Sequence, residues 1–443
     1  MKITFILPAI GKKTGKKYIR TWQQIEPLTM ATLKALTPDD VETEFFDDRI
    51  ELIDYNKDTD LVALSSEVYT AKRAYQIASE FQKRDIPVII GGYHASLCPD
   101  EVLEYADSVL VGNAEQVWAE IIQDFKRGDY KKKYYGETGF SVLPDRSIYQ
   151  DKKYSPLGVL ETGRGCNFNC EFCAITTVYK QNYHCRPIED IVKEIKESDK
   201  KYFFFVDDNI VANPAYAIKL FKAITPLKIK WTGQGTLTMA NNNELLKWMK
   251  KSGCEVILIG YESLEEDNLK QMGKAWSTEL KMDTLTKKIH QAGISIYATF
   301  LFGFDYDTAE SFERTVNFAL KHDFFFAAFN HLLPLPGTKL HKRLREEGRL
   351  IKDKWWLDSR YKYGDIPFIP KNMSPEELKS RCTKARKEFF KFSSIIKRSL
   401  TLLKRNLNPF LYIIFWDLNL KLKKEVEGKL GLPVGRGLDE LPK

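Results

Sequence analysis

Long hydrophobic runs are missing from this 443-residue sequence. The longest, Pro409–Trp416, has eight residues and ends at Asp417. A bilayer span needs roughly 18–20 apolar residues, so no transmembrane helix is expected. No secretory leader is expected either, because the apolar stretch Met1–Ile10 is short and Pro8 interrupts it. Cysteine is scarce: seven in a chain this long do not form a disulfide framework, which points to a reducing cytoplasm. Fixed-period repeats and low-complexity tracts are absent, as is a Gly-x-Gly-x-x-Gly fingerprint after a strand, so a standard dinucleotide site is not expected. A global charge of one sign is also lacking. The net charge of +8 comes from a single segment, Lys379–Arg405, which holds ten Lys/Arg and one acid. The remainder is nearly neutral, which argues against a uniformly basic nucleic-acid binder.

What is present is ample core material, 43% hydrophobic and 13% aromatic. The length suggests about three domains at roughly 150 residues each. Apolar strand-like runs at Lys2–Pro8, Leu61–Ser65, Pro87–Ile90 and Ser108–Val111 alternate with helical stretches at Glu26–Leu36, Ala71–Lys83 and Ala114–Phe125. That alternation predicts a doubly wound parallel sheet over residues 1–130. The charged, Gly/Pro-punctuated residues 131–155 read as a linker. A second series predicts strands at Gly158–Thr162, Tyr202–Val206, Lys228–Gly233, Glu255–Gly260, Ser295–Gly303 and Ala327–Leu333, with helices between them. Six strands of this kind over 156–350 predict a partial TIM-type (β/α)6 barrel, with its chemistry at the C-terminal strand ends. Residues 351–443 read as mostly helical, with one helix over Ser374–Arg405 and another from about Pro409 to Leu430.

The densest chemical signal is Gly165–Ala174, GCNFNCEFCA, where Cys166, Cys170 and Cys173 lie four and three residues apart. Tetrahedral zinc needs four ligands, usually from paired short spacings. His184 and Cys185 are more than ten residues away in sequence. Three thiolates on one loop suit a four-iron cluster with one iron left open. The loop, with aromatic Phe172 before its third cysteine, resembles that of the radical S-adenosylmethionine superfamily. The resemblance implies a [4Fe-4S] cluster whose open iron takes the amino and carboxylate groups of S-adenosylmethionine, and reductive cleavage to a 5′-deoxyadenosyl radical. It also implies an external low-potential electron donor. The strand-end acids Asp207 and Asp208 become candidates for the ammonium or ribose, and Glu262 in ILIGYES for the ribose, each with a helix cap or loop acid as the competing assignment. Gln234 is a further pocket candidate. Gly303 in LFGFD and the LPLPGT turn of Leu333–Thr338 resemble the segments that shape the adenine pocket. Cys98, Cys185, Cys254 and Cys382 are scattered and read as buried small hydrophobes.

Three strand ends of the first series carry Ser65–Ser66, Gly91–Gly92–Tyr93–His94 and Gly112–Asn113–Ala114–Glu115. Glycines let a bulky ligand approach the backbone, and serines offer hydrogen bonds. Before a radical S-adenosylmethionine barrel, this order resembles the cobalamin-binding domain of cobalamin-dependent radical enzymes. Two departures stand out: no Asp-x-His-x-x-Gly supplies a lower-ligand histidine, and Asn113 stands where glutamate is more usual. Ser65, Ser66, Gly91, Gly92, His94 and Gly112 are the candidate cobalamin contacts, His94 through the nucleotide tail or a phosphate rather than cobalt.

Both cofactors together imply methylation of an unactivated carbon of a small-molecule, lipid or tetrapyrrole substrate, through methylcobalamin and the deoxyadenosyl radical. Radical cyclisation, oxidation or rearrangement with the same cofactors, and iron–sulfur electron transfer, stay open. Methylthiolation of tRNA does not fit, because that family would want three cysteines in residues 1–130 and only Cys98 is there. In the basic segment Phe389, Phe392, Ile396, Leu400, Leu403 and Leu407 form a helical stripe, with Lys384, Lys387, Lys391, Arg398 and Arg405 on another face. The stripe either packs on the barrel or rests on an anionic membrane, so the expected location is cytoplasmic with peripheral membrane contact open. Nucleic acid is not an expected partner.

Overall fold

A computed structural model describes residues 1–11, 24–138, 142–274, 278–405 and 408–435. Its first half is a six-stranded parallel sheet in the order β2-β1-β3-β4-β5-β6. The strands are β1 (Lys2–Leu7), β2 (Glu42–Asp47), β3 (Leu61–Ser65), β4 (Val88–Gly91), β5 (Ser108–Gly112) and β6 (Lys133–Gly136). The chain steps from β1 to β2 on one side and then to β3 on the other. This reversal places a binding crevice outside the carboxyl ends of β1 and β3. Side chains alternate between two cores. Ile3, Phe5, Leu61 and Ala63 face helices Leu28–Leu36 and Trp118–Arg127. Ile6, Val62, Leu64 and Ile90 face helix Ala71–Gln82. Burial on both faces explains why the inner strands read as unbroken apolar runs.

Two strands were not legible as such. β2 (ETEFFD) and β6 (KYYG) are edge strands, each exposed in part, and neither carries a continuous apolar run. The expected linker therefore begins with a strand that completes the first sheet.

The second sheet is also six-stranded and parallel, in chain order: β7 (Gly158–Leu160), β10 (Tyr202–Phe205), β11 (Lys230–Gly235), β12 (Cys254–Glu262), β13 (Ser295–Phe302) and β14 (Phe326–His331). A short antiparallel hairpin, β8 (Gly163–Gly165) with β9 (Tyr183–Cys185), is inserted after β7. All six expected strands are present, with shifts of a residue or two at their ends. One face of the sheet is sealed by Phe203, Phe205, Trp231, Ile257, Ile259, Ile296, Ala298 and Phe300. The other face, toward the lumen expected of a barrel, is half-open: Phe204, Val206, Thr232, Gln234, Leu258, Tyr297 and Thr299 are only partly buried there.

The C-terminal region is divided between the two halves. Trp355, Trp356 and Tyr361 join the core of the first sheet, whereas helices Pro375–Phe389, Phe392–Arg405 and Pro409–Lys429 pack on the second. The long helix expected over Ser374–Arg405 is thus two, broken at Phe390–Lys391. Helix Pro375–Phe389 covers the free edge of β14, where the Arg386 guanidinium donates to the Phe329 carbonyl at 2.9 Å and to Asn330 Oδ1. Edge carbonyls left bare would invite foreign strands. Among the described residues no helix is long and apolar enough to cross a membrane.

Arg398 fastens this region. It is buried, lies 4.0 Å from the centre of the Phe389 ring, and donates to the carbonyls of Phe324, Phe325 and Phe389 and to Asn419 Oδ1. Burial pulls its guanidinium pKa down to about 9. Arg398→Met should remove a buried donor from all four acceptors, of which the Phe389 and Phe325 carbonyls keep Ser394 and Asn419 as donors, and lower stability by about 3 kcal/mol, seen as a reduced urea midpoint of the full chain.

Candidate active site

The glycines of the first sheet set the floor of the site. Gly92 has φ 96° and ψ −175°, a region essentially closed to other residues. A Cβ there would stand 2.6 Å from the Ser66 carbonyl oxygen. Gly112, at φ 85°, would meet the Gly136 carbonyl in the same way. These turns carry the chain off β4 and β5 without a side chain above the strand ends. Ser96 Oγ closes the floor, donating to the Gly92 carbonyl and accepting from the Gly112 N–H at 2.9 Å. Above it lies a cavity of about 300 Å³ lined by Ser65, Ser66, Gly91, Gly92 and Gly112.

His94 is not in this cavity. It is fully buried, its Nε2 3.0 Å from both Tyr75 Oη and Glu101 Oε1. Trp356 Nε1 donates to the same Glu101 oxygen at 2.9 Å, and these contacts hold the Glu101 carboxyl down at about 2. As the helix Tyr93–Leu97 begins, the His94 side chain turns inward, away from the cavity where a cofactor contact was expected, and ties the first sheet to the returning turn of 3-10 helix at Trp355–Leu357.

The cavity also has walls from the second half, Glu161, Arg164, Tyr179 and Val206. Arg164 lies 2.5 Å from Glu115 of the first half and 2.8 Å from Glu161. Tyr93 and Tyr179 also line it, and desolvation raises both phenols, Tyr179 to about 12. Arg164 and Tyr179 went unnoticed in the sequence, because their only signal was closeness to the cysteines.

The cysteine loop leaves the β8–β9 hairpin and runs into helix Ala174–Tyr179, which packs against helix Tyr93–Leu97. The loop is clamped from outside. Asn169 accepts from Lys339 at 2.8 Å, Glu171 pairs with Arg343 at 3.0 Å, and the Leu340 N–H donates to the Glu171 carbonyl. Asn209 Nδ2 is 3.7 Å from Cys166 Sγ. The Cys173 sulfur receives the backbone N–H groups of Ile175 and Thr176. Burial raises the Cys170 thiol to about 11, with Cys166 and Cys173 pushing the same way and Lys274 opposing. Among the described residues no three His, Cys, Asp or Glu side chains close around a single ion. The donor set and the N–H groups aimed at sulfur fit a [4Fe-4S] cluster held by Cys166, Cys170 and Cys173.

The other candidates divide. Glu262 has φ 67° and pairs with buried Lys274 at 3.1 Å, beside Cys170. Gln234 lies on the half-open face of β11. Asp208 is half-exposed and accepts from the Gly165 N–H at 2.9 Å, and burial raises its carboxyl to about 6. Asp207 faces neither cavity nor lumen. It is buried and accepts from the Thr162 N–H and hydroxyl (2.6 Å) and from Tyr183 Oη, joining β10 to the cysteine hairpin. Gly303, at φ 104°, is a packing glycine, since a Cβ would meet Phe368 and Leu378 at 2.8 Å. Phe172 lies edge-on to Phe304 at 6.1 Å. Gly337 of the LPLPGT turn abuts Leu97 of the first half. Of the remaining cysteines, Cys254 and Cys382 are buried and Cys98 half-buried as expected, but Cys185 is exposed.

The radical SAM superfamily model matches residues 160–319. The chain is 31% identical over 353 residues to bacteriochlorophyllide d C-12(1)-methyltransferase of Chlorobaculum tepidum, covering 76% of each. It is 27% identical over 405 residues to that organism's bacteriochlorophyllide d C-8(2)-methyltransferase, 84% of this chain and 87% of that one. The chain belongs to the cobalamin-dependent radical S-adenosylmethionine enzymes. The fold agrees: the radical S-adenosylmethionine methyltransferase TsrM from Kitasatospora setae, solved with cobalamin and a [4Fe-4S] cluster, superposes with a TM-score of 0.64 at 16% identity, over 86% of this chain and 84% of that one. In this radical S-adenosylmethionine methyltransferase the helix that follows the cysteine loop packs against the helix that follows the Gly/Ser floor.

Gly92→Ala should reduce retained cobalamin at least tenfold after anaerobic loading and desalting, with iron content unchanged. Cys170→Ala should do the reverse, removing the visible iron–sulfur absorption and leaving cobalt in place. Metal analysis and absorption spectra of both variants check the pair.

Proposed function

We propose that this C-methyltransferase acts on an unactivated carbon of a largely apolar substrate, a cyclic tetrapyrrole before other small molecules or lipids. The observation that carries it is the shared cavity: the Ser65–Gly91–Gly92–Gly112 floor and the helix leaving the cysteine loop face the same space. Residues 1–130 are read as the cobalamin-binding domain, 131–155 as the linker, 156–350 as a partial (β/α)6 barrel and 351–443 as the helical remainder. The two curated relatives act on bacteriochlorophyllide d, and Leu28, Val178 and Val206 give the cavity apolar walls, which supports a flat, hydrophobic substrate.

When bound, the cluster with S-adenosylmethionine supplies a hydrogen-abstracting radical, and cobalamin supplies a transferable methyl group. The chain's own residues orient and shield. Cys166, Cys170 and Cys173 would hold the cluster. Glu262, Gln234 and Asp208 are positioned to receive its polar groups at the mouth of the lumen. Of the Glu262 carboxylate, Lys274 engages only Oε1, which leaves Oε2 to accept from a ligand hydroxyl. Arg164, held by Glu115 and Glu161, fixes the spacing of the two walls. Tyr93 and Tyr179 stay protonated at neutral pH, the Tyr179 hydroxyl donating to Asn113 Oδ1, so they line the cavity without adding charge beside a radical. No acid–base dyad is required, because hydrogen abstraction replaces deprotonation.

Anaerobic turnover with a low-potential reductant, a bacteriochlorophyllide and methyl-labelled S-adenosylmethionine should form 5′-deoxyadenosine and place the label on a carbon of the product. If deoxyadenosine forms from a competent tetrapyrrole and no label enters it, methylation is excluded and a radical cyclisation or oxidation takes its place.

A further inference from the structure

The structure assigns a second working surface to the C-terminal helices, and we propose that it docks on an anionic lipid bilayer. At about 100° per residue, Phe392, Ile396, Leu400 and Leu403 fall within an arc of about 80° of helix Phe392–Arg405. This arc is not the one that packs on the protein. Ile395, Arg398, Ser399 and Leu402 do that and are buried, whereas Phe392 is 56% and Leu400 54% exposed. Helix Pro409–Lys429 repeats the pattern: Leu411 and Phe415 are buried, and Phe410 and Ile413 are exposed, Ile413 at 63%. The Phe392 and Trp416 rings, 6.2 Å apart, join the two arcs into one patch. Leu407, the last member of the expected stripe, lies outside the described residues.

Charge decides what covers the patch. Lys397 and Lys404 border the exposed apolar arc on its outer side. The patch also reaches the second sheet, where Phe410 packs on Tyr202 at 4.1 Å. There exposed Lys201 and Lys228, at the starts of β10 and β11, bring more positive charge. Three acids near this face have lysine partners, Asp199 with Lys200, Glu388 with Lys391 and Asp417 with Lys421, and Asp323 lies 4.0 Å from Arg405. Large apolar side chains inside a rim of lysines match a surface with an apolar interior and anionic headgroups, into which lysine stems can extend. A second copy of the chain would set lysines against lysines, a repulsive contact. A nucleic acid would leave the apolar centre uncovered. The patch lies at the N-terminal ends of the second sheet's strands, so the bound enzyme would hold its cavity away from the lipid.

The test is co-sedimentation of the full chain with vesicles of phosphatidylcholine alone and of phosphatidylcholine with an equal share of phosphatidylglycerol. Binding is expected to the anionic vesicles, to fall with salt, and to be at least tenfold weaker on neutral ones. Ile396→Glu/Leu400→Glu should reduce it at least tenfold. Lys397→Gln/Lys404→Gln should reduce the preference for anionic vesicles about tenfold. Both pairs are exposed, and unchanged circular dichroism and cluster absorption should show that the fold survives. Absence of binding to anionic vesicles, or full binding by a folded Ile396→Glu/Leu400→Glu variant, would overturn the assignment. Concentration-dependent dimerisation abolished by that variant, without vesicle binding, would overturn it too, in favour of self-association.

Discussion

The seam between helix Tyr93–Leu97 and helix Ala174–Tyr179 is the contact on which the rest depends. Each helix starts where a strand-end loop has just made its chemical contribution: the glycine floor in one case, the cysteine loop in the other. Packing one helix on the other turns two ordinary strand-end sites into two walls of a single cavity. Arg164, shared by Glu115 and Glu161, sets the separation of those walls with charge-assisted contacts that tolerate little displacement.

Rigidity is built around the seam in layers. The cysteine loop is gripped from one side by Lys339 and Arg343 and from the other by Asn209. Asp207 anchors the hairpin that launches the loop. These groups fix the cysteine loop in place through its own side chains and backbone. Such preorganisation suits radical chemistry, where a misplaced reactive carbon attacks the wrong bond.

Much of this was legible from residue order. The inner strands of both sheets are buried on both faces, so they announced themselves as apolar runs. The cysteine spacing and the Gly/Ser strand ends are local signals; the Gly/Ser residues line the cavity, and the helix that follows the cysteine loop supplies its opposite wall. What escaped notice depends on neighbours distant in sequence. β2 and β6 are edge strands whose exposed faces dilute the apolar signal. Asp207 looked like a ligand because it ends a strand beside Asp208, yet the hairpin that folds over it accounts for its contacts. His94 sits in a loop of the right composition, but one turn of helix rotates it inward to Tyr75 and Glu101. The basic tail was legible as charge and as a stripe. Its split into a buried arc around Arg398 and an exposed arc beside it required the packed structure.

The returning segment around Trp355 and Trp356 has a mechanical consequence. After building the second sheet, the chain crosses back to complete the core of the first, then returns to cover the β14 edge. The halves are therefore stitched at two separate places. Motion about the 131–155 connection alone cannot swing them apart. The width of the opening between the halves is therefore set by two tethers and not by one hinge.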